Sequence, residues 1–134
     1  MSGENADIAN LRAGYEALSR GDWDEAFRHL DPEVELTTAD LVPNPGVYRG
    51  RAEVRRFFED LLEPFDEVHI EPEEFFQRND QIVAFLRITW MPSGTTATVE
   101  NRVGHLWTVR DGRATHLRLF PRREEALDAV GMRE

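Results

Sequence analysis

His105 is the side chain of this sequence best placed for acid/base chemistry. It lies in the stretch VGHLWTVRDGRATHLRLF (residues 103–120), where side chains alternate with the period of a β-strand. Extending the alternation backwards adds Asn101, so two polar side chains stand in an otherwise apolar wall. Buried polar groups need partners, which are neighbouring side chains or a ligand. An imidazole, with an ordinary pKa near 6.5, can also carry a proton at neutral pH.

Two hairpin registers are compatible with the RDGR turn, and they place different residues beside His105. If DG alone forms the turn, His105 lies opposite Arg118; if RDG forms a three-residue loop, His105 lies opposite Leu117. The second register separates apolar from polar residues better, which favours it. We therefore predict the three-residue loop, with an inward face that carries Val103, His105, Trp107, Thr115, Leu117 and Leu119.

Helical periodicity predicts four helices that would position these residues. A first helix is predicted over residues 6–20 and ends at Gly21, and Asp22 can then cap a short second helix. The apolar stripe of VRRFFEDLL (residues 54–62) predicts the third helix. A short closing helix is predicted over residues 122–130.

One strand is predicted between the second and third helices, and four more follow the third helix as an antiparallel meander. Alternation predicts them at residues 33–38, 67–78, 81–91, 96–109 and 114–120. Pro72 interrupts the second of these, which suits an edge strand or a bulge. Helices followed by an antiparallel meander indicate an α+β domain.

The composition limits the classes of function open to this chain. Acidic residues number 26 against 16 basic ones, for a net charge of −10 at pH 7, so most of the exterior would repel nucleic acid or an anionic membrane. The chain has no cysteine, which excludes a disulfide framework and a thiolate nucleophile. No metal-ligand spacing is present, and no metal or other cofactor is predicted. We expect one cytoplasmic domain over residues 1–134, with residues 1–5 disordered.

Four segments occur here in the order seen in SnoaL-like domains. They are YEALSRGDWDEAFRHLDPEVEL, PGVYRGRAEVRRFFEDLLEPF, HLWTVRDGRATHLRLF and RREEALDAVG. The chain thus resembles the nuclear-transport-factor-2-like superfamily, which includes ketosteroid isomerase, scytalone dehydratase and polyketide cyclases. The resemblance implies a cone-shaped fold, with helices packed on a strongly curved, largely antiparallel sheet around an apolar cavity. It also implies a homodimer formed through the outer sheet face, here Leu106, His116, Arg118 and Phe120.

The catalytic positions of the isomerase-like members fall on different residue types in this chain. Their general-base aspartate corresponds to Thr38, or to Thr37 if one residue is skipped, and threonine is not a useful base near neutral pH. Their buried acid, which donates a hydrogen bond to the substrate oxygen, corresponds to His105, which can donate the same bond. The tyrosine of their first helix falls closest to Gly14, one residue from Tyr15.

Asp40 is the residue that could replace the missing base. It lies in the connection ADLVPNPGVYRG (residues 39–50), which carries more apolar groups than a solvated loop needs. If this loop folds back over the cavity, Asp40 and His105 could form an acid/base pair for enolisation, cyclisation or dehydration. Otherwise Asp40 is a solvated loop carboxylate.

The function that we predict is that of a small-molecule-binding domain with a cavity for an apolar or partly polar ligand. One alternative is a cofactor-independent enzyme of the isomerase, cyclase or dehydratase type, with His105 and Asp40 as its catalytic residues. Another is a dimeric interaction module whose cavity is filled by its own side chains. The residues predicted to contact the ligand are Tyr15, Thr38, Tyr48, Phe58, Asn101, Val103, Trp107, Leu117 and Leu119.

Overall fold

One mixed sheet and four helices make up the part of the chain that the structure, a computed structural model, describes, namely residues 5–38, 46–94 and 96–131. In chain order the elements are α1 (Ala6–Arg20), α2 (Trp23–Ala26), β1 (Leu30–Thr37), β2 (Val47–Arg49), α3 (Gly50–Leu62), β3 (Phe65–Arg78), β4 (Gln81–Pro92), β5 (Val99–Arg110), β6 (Arg113–Phe120) and α4 (Arg123–Ala129). None of the helices in these residues is both long and apolar enough to cross a membrane.

The six strands lie in the order β2-β1-β6-β5-β4-β3. Every neighbouring pair is antiparallel except β1 and β6, which run parallel. The predicted α+β class is confirmed, as is the largely antiparallel sheet. The three-residue strand β2 was not predicted, because so short a segment cannot display an alternation.

The first helix begins and ends at the residues that the sequence predicts, whereas α2 begins as predicted but ends at Ala26, although the sequence extends it through Leu30 to a stop at Asp31-Pro32. The side chain of Asn5 accepts a hydrogen bond from the Ile8 amide at 2.9 Å and so caps α1. Gly21 ends α1 in the left-handed conformation, with φ of 76°. Asp22 then caps α2 by accepting a hydrogen bond from the Glu25 amide at 3.2 Å.

Two prolines sit where the sheet is irregular. β3 is one of the two edge strands, and its pairing with β4 shifts between Pro72 and Glu74, as the sequence predicts. β1 begins three residues earlier than predicted, at Leu30, and contains Pro32. Its pairing with β6 shifts between Leu30 and Glu35, so the missing amide of Pro32 falls within an irregular stretch.

The register of the β5–β6 hairpin differs from both registers considered from the sequence. Asp111 and Gly112 have φ of 53° and 77°, so these two residues alone form the turn, and the predicted three-residue loop is wrong. The pairing then shifts after the turn, where Thr115 is the extra residue of a bulge, and His105 lies opposite Leu119.

The bulge places most of the predicted inward-facing side chains on the inward face, although the strand pairing differs from the predicted one. Trp107 pairs with Leu117, and both are buried together with His105 and Leu119. Ala114, which the sequence assigned to the outer face, is buried in the same core. The prediction of the inward face is therefore right for these side chains, while the pairing that produced it is not.

A second, smaller core lies on the opposite side of the sheet, under α4. It consists of Val83, Leu106, Phe120, Ala126 and Val130. Two of the residues assigned to a dimer contact, Leu106 and Phe120, are thus covered within the chain itself, whereas His116 and Arg118 are exposed.

Gly104 allows α4 to lie directly on β5. A Cβ atom at this position would be 2.9 Å from Ala126 Cβ and 3.2 Å from Arg123 Cα. We expect Gly104→Ala to push α4 away and to lower the free energy of unfolding by about 1–3 kcal/mol, the usual cost of overpacking. Urea denaturation measures this change.

The matched control is Gly46→Ala, because a Cβ atom at Gly46 would meet no atom within 4 Å. Equal stability of the two variants would show that α4 does not depend on the missing side chain of Gly104.

Candidate functional site

Three buried side chains from α1 and β5 form a hydrogen-bonded chain. Tyr15 projects from the third turn of α1, and its hydroxyl oxygen lies 2.8 Å from His105 Nδ1. Trp107, two residues further along β5 and on the same face as His105, donates a hydrogen bond from Nε1 to the same hydroxyl at 2.7 Å. The relative exposures of Tyr15, His105 and Trp107 are 4%, 7% and 8%, so water does not compete for these bonds.

The donor fixes the direction of the Trp107–Tyr15 bond, whereas the direction of the Tyr15–His105 bond depends on the tautomer of His105, and we assign it so that the Tyr15 hydroxyl proton also has a partner. The indole N–H of Trp107 can only donate, so the Tyr15 oxygen accepts from it. The Tyr15 O–H is then free to donate to His105 Nδ1, which must be unprotonated to accept it. This assigns the imidazole proton to Nε2, on the side of the ring away from Tyr15.

Burial keeps both titratable members of this chain neutral. Desolvation lowers the pKa of His105 from 6.5 to about 3. Desolvation also raises the pKa of Tyr15 above its ordinary value, and the hydrogen bond from Trp107 opposes that rise only in part. A neutral His105 can donate from Nε2 but is a weak base at neutral pH, which suits a hydrogen-bond donor better than a proton acceptor.

His105 borders a cavity of about 180 Å³ enclosed by α3, β3, β4, β5 and β6. We call this the large cavity, because it is the larger of the two cavities that His105 borders. Its lining is almost entirely apolar: Phe58, Leu61, Leu62, Ile70, Ile88, Trp90, Asn101, Val103, His105, Leu119 and Phe120.

A second cavity of about 50 Å³ lies toward α1 and α2. We call this the small cavity. It is lined by Asn10, Leu11, Gly14, Tyr15, Leu18, Ala26, Phe27, His29, Leu30, Phe58, His105, Trp107 and Ala114. His105 and Phe58 line both cavities.

Asn101 lies at the rim of the large cavity. Its side chain is exposed, although the sequence placed it in a buried wall. In the amide orientation that satisfies both of its groups, its oxygen accepts a hydrogen bond from Trp90 Nε1 at 3.1 Å and its nitrogen donates to the Glu100 carbonyl at 3.0 Å. Asn101 therefore fixes the Trp90 ring at the cavity rim.

The structure brings together most, but not all, of the residues that the sequence proposed for a site. Phe58, Asn101, Val103, His105 and Leu119 line the large cavity, and Tyr15, Trp107, Phe58 and His105 line the small one. Leu117 is buried in the core and lines neither cavity. That the residues lining the two cavities contact a ligand stays a prediction.

Thr38 and Tyr48 lie away from both cavities. Thr38 is fully buried, and its hydroxyl accepts a hydrogen bond from the Gly46 amide at 3.0 Å. The Tyr48 ring packs on Phe57, with 4.9 Å between ring centroids. Both residues therefore stabilise the region around β2 rather than line a cavity. Asp40 lies outside the described residues, so its pairing with His105 stays a prediction.

Six residues that line the large cavity were not proposed for the site from the sequence: Leu61, Leu62, Ile70, Ile88, Trp90 and Phe120. The helical stripe carried a signal for two of them, because Leu61 and Leu62 lie three and four positions after Phe58 in α3. Trp90 pairs with Val99 and Ile88 pairs with Asn101, so a correct β4–β5 register would have identified these two.

Neither cavity is lined by an aspartate or glutamate of the described residues. Within residues 5–38, 46–94 and 96–131, no group of three or more histidine or carboxylate side chains is placed to hold a metal ion. The polar groups of the site are thus the hydrogen-bonded chain Trp107–Tyr15–His105, with Asn101 at the rim and Asn10 and His29 beside the small cavity.

Comparison with known proteins gives one family match. The profile of the SnoaL-like domain matches residues 11–117, a range that contains Tyr15, Phe58, His105 and Trp107. No curated protein matches the chain.

Solved structures of similar fold extend this comparison. An NTF2-like protein of unknown function from Burkholderia pseudomallei is 22% identical with a TM-score of 0.77, over 93% of this chain and 97% of that one. TerC, co-crystallised with polyporic acid, is 23% identical with a TM-score of 0.76, over 87% of this chain and 91% of that one. A Mycobacterium tuberculosis protein in complex with estradiol-17beta-hemisuccinate is 17% identical with a TM-score of 0.72, over 87% of this chain and 93% of that one. At these identities the likeness shows the fold.

Proposed function

Because the chain belongs to the family of SnoaL-like domains, we propose that it is a small-molecule-binding domain whose ligand occupies the large cavity. The observation that carries this proposal is the hydrogen-bonded chain Trp107–Tyr15–His105 beside the large cavity. The Tyr15 hydroxyl, itself held by Trp107, occupies Nδ1 of His105, and in the assigned tautomer this leaves the Nε2 proton available beside an apolar cavity. A donor held in this way is pre-organised for an acceptor atom of a ligand.

The ligand class follows from the size and charge of the large cavity. A volume of about 180 Å³ suits a ligand with one ring, since an engineered cavity of roughly 150 Å³ binds benzene. The lining offers no charged group from the described residues, and His105 is neutral. A charged ligand would lose its hydration without gaining a counter-charge. We therefore propose an uncharged, mostly apolar ligand with an oxygen that accepts from His105 Nε2.

Two model compounds of similar shape test the hydrogen bond directly. Acetophenone carries a ketone oxygen and ethylbenzene does not, so we expect acetophenone to bind about tenfold more tightly, as one net hydrogen bond allows. Isothermal titration calorimetry measures both affinities. In His105→Leu, which cannot donate, the preference for acetophenone is expected to disappear.

Binding of neither compound to the wild-type chain would contradict the proposed function. Equal affinities for the two compounds in the wild-type chain would contradict the role of His105 as a donor.

The alternative that the chain is an enzyme rests on the same hydrogen-bond donor, His105 Nε2. A neutral, hydrogen-bonded imidazole can polarise a carbonyl oxygen and stabilise the negative charge that develops on it. Isomerisation or cyclisation also needs a base, and among the described residues no carboxylate lines the cavities. Asp40 stays the proposed base.

The interaction-module alternative requires a cavity filled by the side chains of the chain itself, and the open 180 Å³ beside His105 speaks against it. A homodimer and a cytoplasmic location stay predictions from the sequence and the family. His116 and Arg118 are the proposed contact residues that are exposed on the outer face.

A further inference from the structure

Two side chains, Phe58 and His105, separate the large cavity from the small one. They are held very differently. His105 is fixed by the hydrogen bond to Tyr15, which is itself bonded to Trp107. Phe58 is held by packing, with ring centroids 5.8 Å from Phe27 and 5.2 Å from Phe57. Phe58 is thus the part of the partition that can change without breaking a hydrogen bond.

The small cavity is better suited to an apolar group than to water. Leu11, Leu18 and Phe27 contribute to its lining, and the polar atoms of Tyr15 and Trp107 are already paired with each other. The other polar side chains of the lining, Asn10 and His29, are only half-buried and so reach solvent. A buried water needs two to four polar partners to be stable. At about 50 Å³, the small cavity is too small to hold a ring alone, so it can serve only as an extension of the large cavity.

We propose that the small cavity is a second subsite of the ligand site, which Phe58 closes, so that Phe58 sets the upper size limit of the ligand at one ring. This inference rests on the proposed function, because it assumes that the large cavity binds a ligand beside His105. Removing the Phe58 ring would join the two cavities and admit a second fused ring. The His105 donor would stay in place, because its own bonds do not involve Phe58.

The test compares two ketones that differ by one fused ring, acetophenone and 2-acetonaphthone. In the wild-type chain we expect acetophenone to bind more tightly by roughly tenfold or more, the scale on which a closed pocket discriminates by size. In Phe58→Ala we expect the preference to reverse by a similar factor, measured by isothermal titration calorimetry. Phe58→Leu, a smaller perturbation of the core, is expected to reduce the preference without reversing it.

The matched control is Phe57→Ala. Phe57 is the neighbouring residue of α3 and is 8% exposed, against 7% for Phe58, but it lines neither cavity. This variant suffers a comparable loss of core packing and is expected to keep the wild-type preference.

The outcomes separate this inference from the proposed function. If the wild-type chain binds neither ketone, the proposed function fails. If it binds acetophenone but Phe58→Ala and Phe58→Leu keep the wild-type preference, the second subsite fails and the proposed function stands. A reversal in Phe57→Ala as well would show that loosening of α3, and not removal of the partition, admits the larger ligand.

Discussion

Acidification from neutral pH to well below pH 3 is expected to remove about 5 kcal/mol from the free energy of unfolding of the wild-type chain through His105 alone. Burial lowers the pKa of His105 from 6.5 to about 3 in the folded chain. The unfolded chain has no such burial, so its imidazole binds a proton with the ordinary pKa. Each unit of difference between the two states corresponds to about 1.4 kcal/mol.

The sign follows from which state binds the proton. Above pH 6.5 the imidazole is neutral in both states, and His105 contributes no pH dependence. As the pH falls from 6.5 toward 3, the unfolded state takes up a proton that the folded state excludes, so unfolding becomes more favourable. Below pH 3 both states are protonated and the loss is complete. At pH 4 the expected loss is about 3 kcal/mol.

Urea denaturation at pH 7 and at pH 4 measures the effect. The side chain introduced by His105→Asn does not titrate, and it can still accept a hydrogen bond from Tyr15. This variant is expected to lose about 3 kcal/mol less than the wild-type chain between the two pH values, because the carboxylates that also titrate are the same in both. His116→Gln removes an exposed imidazole and is expected to behave as the wild-type chain does. If the wild-type chain and His105→Asn lose the same stability, His105 is not buried in a neutral form.

The sequence predicted best what depends on local periodicity. The bounds of α1, the cap at Asp22 and the inward face of β5 all follow from spacings within a few turns or one strand. Among the caps, only that of Asp22 was named from the sequence, by its spacing to Glu25. Burial on one side of a sheet is strongly selected, which is why the inward face was right although the register of the β5–β6 hairpin was wrong.

Alternation predicts the side on which a residue lies but not how deeply it is buried. Along the inward side of β5, Val99 is 49% exposed, Asn101 is exposed, Val103 is half-buried and His105 is buried. The buried end is the one that α1 and α3 cover through Tyr15 and Phe58. How far a helix extends over a sheet is a tertiary property, so the rim position of Asn101 could not be predicted from its strand alone.

The hydrogen-bonded chain of Tyr15, His105 and Trp107 was also beyond the reach of sequence patterns. His105 and Trp107 were placed on one face by alternation, but Tyr15 lies 90 residues from His105 along the chain. The resemblance to isomerase-like members put their tyrosine closest to Gly14, and a shift of one residue on a helix turns a side chain by about 100°. Only the packing of α1 on the sheet shows that Tyr15 is the residue that reaches His105.

The interaction that organises the site should also be among the most costly to remove. Tyr15→Phe deletes one oxygen atom and leaves two buried groups, Trp107 Nε1–H and His105 Nδ1, without the partner that each has in the structure. An orphaned buried polar group costs roughly 1–3 kcal/mol, so we expect the free energy of unfolding to fall by about 2–4 kcal/mol. Urea denaturation at pH 7 measures the loss.

A matched variant and a second readout distinguish this effect from a general loss of packing. Tyr48→Phe removes the same atom from a half-buried tyrosine whose ring contact with Phe57 survives the change, and we expect it to cost less than 1 kcal/mol, as substitutions away from such networks do. In Tyr15→Phe the His105 proton is no longer held on Nε2, so nitrogen NMR of the imidazole should show both tautomers, and the preference for acetophenone over ethylbenzene should weaken. A variant that lost stability but kept a single tautomer and the full ketone preference would show that Tyr15 supports the fold without positioning the donor. Another contact would then have to fix the tautomer of His105. The hydrogen bonds from Trp107 to Tyr15 and from Tyr15 to His105 would play no part in ligand recognition.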